Sequence, residues 1–239
     1  MAPMSFVYHT FFFDPLYNAL VLLVHYLPWA DAGVLVILFT SLVRLALFPL
    51  SKKAVVTQIR MNEIAPELEK IKEKYKDRTE EQAKHTLALY REKGVNPFSG
   101  VLVILIQLPL IFALYRIFLH FSDVRTDLLY SFVPAPETIN TMFLGLIHMT
   151  QPSFILALFA AASTFFQLKF SLAQQKAPTG DSFGENLSKN IQSQTKYFLP
   201  LMMFFISYKI SAVIPLYFIT TNLFSIGQEI FMRKRVRLA

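Results

Sequence analysis

The chain of 239 residues has no cysteine, which excludes disulfides, zinc–thiolate centres and lipid attachment through a thiol. Signatures of chemistry are equally lacking. There is no Walker sequence, no G-x-G-x-x-G and no HExxH. The five histidines, His9, His25, His85, His120 and His148, are scattered without metal-ligand spacing. Asp127 and Glu137 have no partner histidine, and the apolar segments hold neither paired acids nor a Ser/His pair. An enzyme is not expected, nor is a cofactor. Negative charge is also scarce, with 16 Asp and Glu against 23 Lys and Arg.

What is present is apolar surface: 54% of residues are hydrophobic and 24 are Phe. That share exceeds a soluble domain's and fits an all-α membrane protein. Five stretches qualify as spans, at 33–50, 101–121, 153–172 and twice within 197–232, where Lys209, Ser211 and Pro215 mark a turn. The first is about 18 residues, roughly 27 Å as a helix, and it contains Arg44. A guanidinium does not deprotonate, and its cost at mid-helix is about 2.5–3.5 kcal/mol on translocon scales. No acid lies within two turns of it along the segment, so it should face water or a partner.

Basic residues give the chain two sides. Eleven Lys and Arg fall between Lys52 and Lys93, three between Lys176 and Lys196, and four in the tail from Arg233 to Arg237. The loop 122–152 has only Arg125, and the last turn only Lys209. Five crossings place the three basic regions together in the cytoplasm, with the N-terminus outside and the C-terminus inside. The expected organisation is an outer-face amphipathic helix within 1–32 and transmembrane helices at 33–54, 98–121, 153–172, 197–213 and 214–232. A cytoplasmic helical hairpin occupies 55–97, an outer loop 122–152, a cytoplasmic loop 173–196 and a basic cytoplasmic tail 233–239. In the first of these, Asp14-Pro15 reads as an N-cap followed by a first-turn proline. From there to Leu27 the helix reaches about 20 Å, too short to cross. It lacks the basic start and cleavage site of a signal peptide.

The basic segment is helical rather than a linker. Ile64, Leu68, Ile71 and Tyr75 form one seam, and Ala83, Leu87 and Tyr90 a second. Thr79 with Gln82 matches a capping box between them, and Gly94 with Asn96-Pro97 closes the second arm. Pro66 implies a bend in the first arm. The many Lys and Glu make a solvated face or a docking arm for a cytosolic partner.

Several segments resemble the YidC-type membrane protein insertase family, which includes the mitochondrial and chloroplast relatives. They are Leu42-Val-Arg44-Leu-Ala-Leu-Phe-Pro49-Leu-Ser-Lys52-Lys53, Pro66-Glu-Leu-Glu-Lys-Ile-Lys-Glu-Lys-Tyr-Lys76 and Leu89-Tyr-Arg-Glu-Lys-Gly94-Val-Asn96-Pro97. Gln107-Leu-Pro109 and Leu216-Tyr217-Phe-Ile-Thr-Thr-Asn222 follow in order. The resemblance implies five transmembrane helices around a hydrophilic groove open to the cytoplasm, with Arg44 in its wall. It places Thr40, Gln167, Tyr217 and Phe218 along that groove, Phe218 standing where the family often has Trp. Asn222 either lines the groove or bonds across helices, and Gln107 with Pro109 makes a kink or touches substrate. The implied function is insertion and folding of nascent membrane proteins, in the plasma membrane of a bacterium. Implied partners are those nascent chains and the lipid bilayer. They extend to the ribosome, through the basic tail and helical hairpin, and to the Sec translocon and the signal recognition particle pathway. The family's Phe-Pro-x-Gly-Leu turn is replaced by Lys209-Ile-Ser-Ala-Val-Ile-Pro215-Leu.

A small-solute transporter or channel with Arg44 as its anion site is the alternative, but the inverted repeats it calls for are not visible. Because no native thiol competes, single cysteines along the first, third and fifth spans test the wet groove. Positions near Arg44 are expected to react with a water-soluble maleimide from the cytoplasmic side only. Uniform protection there would remove the groove.

Overall fold

The computed structural model describes residues 6, 8–96, 99–119, 125–135, 139–173 and 183–237. His120, Glu137 and the stretch 174–182 lie outside the described residues. Among the described residues eight α-helices carry the fold: α1 (Asp14–Tyr26), α2 (Ala32–Ala46), α3 (Phe48–Lys74), α4 (Thr79–Glu92), α5 (Ser99–Leu119), α6 (Phe154–Ala173), α7 (Phe183–Lys209) and α8 (Val213–Arg237). One two-stranded hairpin, β1 (Met142–Phe143) and β2 (Ile147–His148), sits in the loop between α5 and α6. The all-α expectation holds at this level.

Asp14 does not cap α1. Its backbone is already helical, because a π-helical turn, His9–Phe13, runs directly into the helix. The aromatic residues start the coil upstream: Phe13 is buried, stacks on Tyr17 at 6.0 Å and lies beneath the Arg116 guanidinium at 5.6 Å. The helix stops at Tyr26, before Pro28-Trp29, as proline requires. Asn18, buried inside α1, ties it to the loop between α5 and α6. Its amide donates to Asp14 O at 2.8 Å and Leu128 O at 3.0 Å and accepts from Tyr130 N at 2.7 Å. The Tyr17 hydroxyl accepts from Arg125 N at 2.7 Å, and burial raises its pKa. Beside it, the hydrogen bond from Arg125 holds the Asp127 carboxyl below its ordinary range.

Asp31 caps α2, accepting from Val34 N at 2.9 Å with one oxygen. Its second oxygen accepts from Leu144 N at 2.9 Å and so binds the β-hairpin to the same helix end. Phe143 lies so close to Gly33 that an added Cβ would stand 2.8 Å from the Phe143 Cβ and overlap its ring. Past α2 the chain bends by 65° at Leu47. Pro49 explains the break: it cannot donate to the Leu45 carbonyl, and its ring would clash there. The segment read from sequence as one span over 33–54 is thus two helices.

Arms α3 and α4 meet through Lys93 Nζ–Glu67 at 3.1 Å and through Tyr75 stacked on His85 at 4.4 Å. The seam Ile64, Leu68, Ile71 and Tyr75 faces inward. On α4 the seam is rotated: Leu89 is buried and Leu87 exposed. Residues two apart lie about 200° apart on a helix, so both cannot face α3. Helix α3 continues through Pro66, and Thr79 is the first helical residue, so no capping box forms.

At the other end of the loop, Ser211 Oγ donates to Met149 O at 2.6 Å and Ala212 N to Gln151 O at 2.8 Å. The turn between α7 and α8 therefore sits at the same end as Asp31. At the opposite end Gln228 Nε2 donates to Ser51 Oγ at 2.7 Å, and the Phe48 and Phe231 rings meet at 6.4 Å. Helices α2, α6 and α8 run one way and α5 and α7 the other. Helix α8 packs between α2 and α6, and α7 lies against α6. The sequence-based boundary at 197 falls inside α7, which begins at Phe183. The spacing of Phe183, Leu187 and Ile191 is itself helical, and no proline interrupts it before Pro200.

One described helix, α6 over Phe154–Ser171, is long and apolar enough to cross a membrane alone; α2 and α3 pass together as a bent pair. Large apolar side chains stand outward on α6 and α7, among them Phe159, Phe166, Phe198, Leu201 and Phe205. Gly33→Ala is expected to lower stability by about 1–3 kcal/mol through overpacking against Phe143. The double variant Gly33→Ala/Phe143→Ala should lose less than the two single losses combined, measured by unfolding in detergent. Strict additivity would deny the contact.

Candidate functional site

Arg44 occupies the last turn of α2, about 18 Å along the axis from Ala32. It is half-buried, and among the described residues it makes no hydrogen bond or ion pair. Its position relative to the span differs from the mid-helix one read from sequence, because the helix ends at Ala46. A cation in a last turn faces the helix's negative end, which is worth about 0.3–1 kcal/mol in its favour. One turn back, Thr40 is buried, and its hydroxyl has no hydrogen-bond partner among the described residues. Ser41, by contrast, donates to Ile37 O at 2.8 Å. Buried polar atoms are nearly always paired, so an orphan hydroxyl one turn from a lone cation is informative.

Helix α8 packs against α2. Tyr217 is buried, and its hydroxyl accepts from Gln107 Nε2 of α5 at 2.7 Å. Phe218 is half-buried and stands edge-on to Tyr217, ring centroids 5.3 Å apart. Thr221, one turn beyond Tyr217, has a buried hydroxyl without a partner among the described residues. Asn222 bonds across helices, its amide donating to Ser163 Oγ at 3.0 Å and Thr164 Oγ1 at 2.9 Å. Gln167 lies one turn along α6 from those hydroxyls, half-buried and without a hydrogen bond among the described residues. The residues singled out from sequence thus sit on α2, α5, α6 and α8. One pair of them is hydrogen-bonded together, Gln107 with Tyr217; Asn222 bonds other residues of α6, while Arg44, Thr40 and Gln167 keep unused polar capacity.

Sequence reasoning missed Ser163 and Thr164, which look like unremarkable helix residues until Asn222 is opposite them. It also missed Glu229, buried and bound to Arg233 at 2.6 Å and 3.1 Å. The signal was available, since Glu229 and Arg233 stand at i and i+4 with the acid first. Arg233 therefore belongs to the end of α8, which runs on to Arg237, rather than to a separate tail. No group of three or more His, Asp or Glu that could hold a metal occurs among the described residues.

The family described as 60Kd inner membrane protein matches residues 24–238. A protein of Wolinella succinogenes, "Membrane protein insertase YidC", is 31% identical over 225 residues, covering 94% of this chain and 37% of that relative. A Clostridium tetani protein of the same name is 30% identical over 207 residues, 87% of this chain and 84% of its own length. One from Fusobacterium nucleatum is 32% identical over 203 residues, 85% and 86% of the two chains. The chain thus spans about a third of one relative and most of the other two.

Asn222→Ala is expected to loosen α8 from α6 by about 0.6–1.7 kcal/mol, the range for side-chain bonds between membrane helices. A double-mutant cycle with Ser163→Ala, read by reversible unfolding, measures it. Zero coupling would mean the bond carries nothing.

Proposed function

The chain belongs to the 60Kd inner membrane protein family of the bacterial inner membrane, and from that premise we propose that it is a membrane protein insertase. Its substrates are nascent membrane proteins, and its working surface is a polar groove among five spans, open to the cytoplasm and lined by Arg44, Thr40 and Gln167. The N-terminus faces outside and the C-terminus the cytoplasm. The observation that carries this reading is Arg44: half-buried on an apolar helix, with no counter-charge among the described residues.

The physics follows from the substrate. A polar tail crossing hydrocarbon pays several kcal/mol for each unsatisfied backbone group. A wet recess reaching partway into the membrane shortens the dry path. Arg44 lies about 18 Å from the outer end of α2, so a recess containing it covers the inner part of a 30 Å core. Its charge attracts carboxylates in the tail, and because Arg44 is not committed to an internal acid, no ion pair must first break. Burial of the substrate's own apolar span in lipid then drives release sideways, without a nucleotide. Tyr217 and Asn222 hold the wall: their polar atoms are spent on α5 and α6, which fixes α8 beside α2. No step makes or breaks a covalent bond.

The basic hairpin and the end of α8 face the compartment from which nascent chains arrive, and they suit a ribosome, with the Sec translocon and signal recognition particle pathway as further partners. In proteoliposomes, Arg44→Ala should slow insertion of a substrate with an acidic tail by about 5- to 30-fold, the effect of one or two kcal/mol. A neutral-tailed substrate should slow less, and Arg44→Lys should keep most of the difference. Equal rates for parent and variant on both substrates would remove the charge attraction.

A further inference from the structure

The β-hairpin between α5 and α6 ends in Leu144-Gly145-Leu146, and its two leucines are 66% and 81% exposed. Leu144 has φ +50 and Gly145 φ +70, so the turn holds a leucine in the left-handed region that glycine and asparagine adopt more readily. Hydrogen bonds tie the tip on both sides. Leu144 N is fixed to Asp31, Leu146 N to Phe143 O at 2.9 Å, and the strands beneath pair Met142 with His148 and Phe143 with Ile147. Two residues before Asp31 stands Trp29, 73% exposed, with Tyr26 similarly exposed before it. From 139 to 153 the chain contains no Asp, Glu, Lys or Arg.

We propose that this tip, with Trp29, is a lipid anchor: Leu144 and Leu146 insert among the acyl chains of the outer leaflet at its headgroup boundary, with the Trp29 indole beside them. The occupant follows from continuity. Asp31 binds the tip to the first turn of α2, so the leucines sit at the level where that helix enters the bilayer, next to side chains already facing lipid. Indole and phenol rings favour that level, and a charge-free turn meets no desolvation cost there. A protein partner would find no charge on the hairpin to set its register. The anchor does what the short loops around it cannot: it holds the outer ends of α2 and α8, both bonded to this loop, at a constant depth. The inference rests on the reading that α2 enters the membrane, and the test keeps the two apart.

Because Trp29 is the sole tryptophan and no cysteine is present, the whole chain serves as its own probe. In liposomes of phosphatidylcholine and phosphatidylglycerol, lipids brominated near the carbonyl end of the acyl chain should quench most Trp29 emission, and aqueous iodide little. Nitroxide labels at Leu146→Cys, Leu158→Cys on the outward face of α6 and Leu87→Cys on the basic hairpin give the comparison. Collision with oxygen relative to a water-soluble nickel chelate should be several-fold higher at 146 than at 87, and close to that at 158. Lipid-like values at 158 with water-like values at 146 would overturn the anchor while leaving the membrane reading intact. Water-like values at both positions would overturn both.

Discussion

Asp31 makes the bond on which the architecture turns. One carboxylate oxygen starts α2 and the other stops the β-hairpin, so a single side chain fixes where the helix begins and where the loop from α5 must pass. That loop continues to Met149 and Gln151, which receive the turn between α7 and α8. One end of each of α2, α6 and α8 is thus joined by the loop between α5 and α6. In a membrane this matters more than in water, because lipid gives apolar helices no reason to prefer one another.

Away from that end, polar contacts among the described residues divide the polar side chains into two kinds. Gln107, Tyr217, Asn222, Ser163 and Thr164 satisfy one another across helices. Thr40, Thr221, Gln167 and Arg44 do not. An insertase of the kind proposed needs both: fixed walls, and unspent hydrogen-bonding and charge on the inside. Bonds that hold the helices apart at constant spacing leave the uncommitted groups nothing nearby to collapse onto.

Much of this was legible in the chain itself. Apolar runs located α2, α5, α6 and α8, Pro28 and Ser211 marked real turns, and the seam from Ile64 to Tyr75 faces inward as its period demands. The choice of Arg44 needed only its charge and its neighbours. Local signals failed where tertiary contacts outweighed them. Asp14 and Thr79 look like caps, but each is already the first residue of its helix, Asp14 continuing a π-helical turn and Thr79 following Arg78. Leu87 and Leu89 offered two faces for one helix, and only the partner arm chooses. The bonds from α8 to its neighbours join residues 58 to 177 positions apart, a pairing no local pattern encodes.

The bend at Leu47 has a mechanical side. Helix α3 is a rod of 27 residues, about 40 Å long, hinged at one end and bonded to α8 near that hinge through Ser51 and Gln228. A turn of about 10° at the hinge carries the far end through about 7 Å, so a weak pull on the tip becomes a strong, short stroke at the foot. A force on the basic arms would therefore act through a long lever on the end of α2, two residues from its arginine.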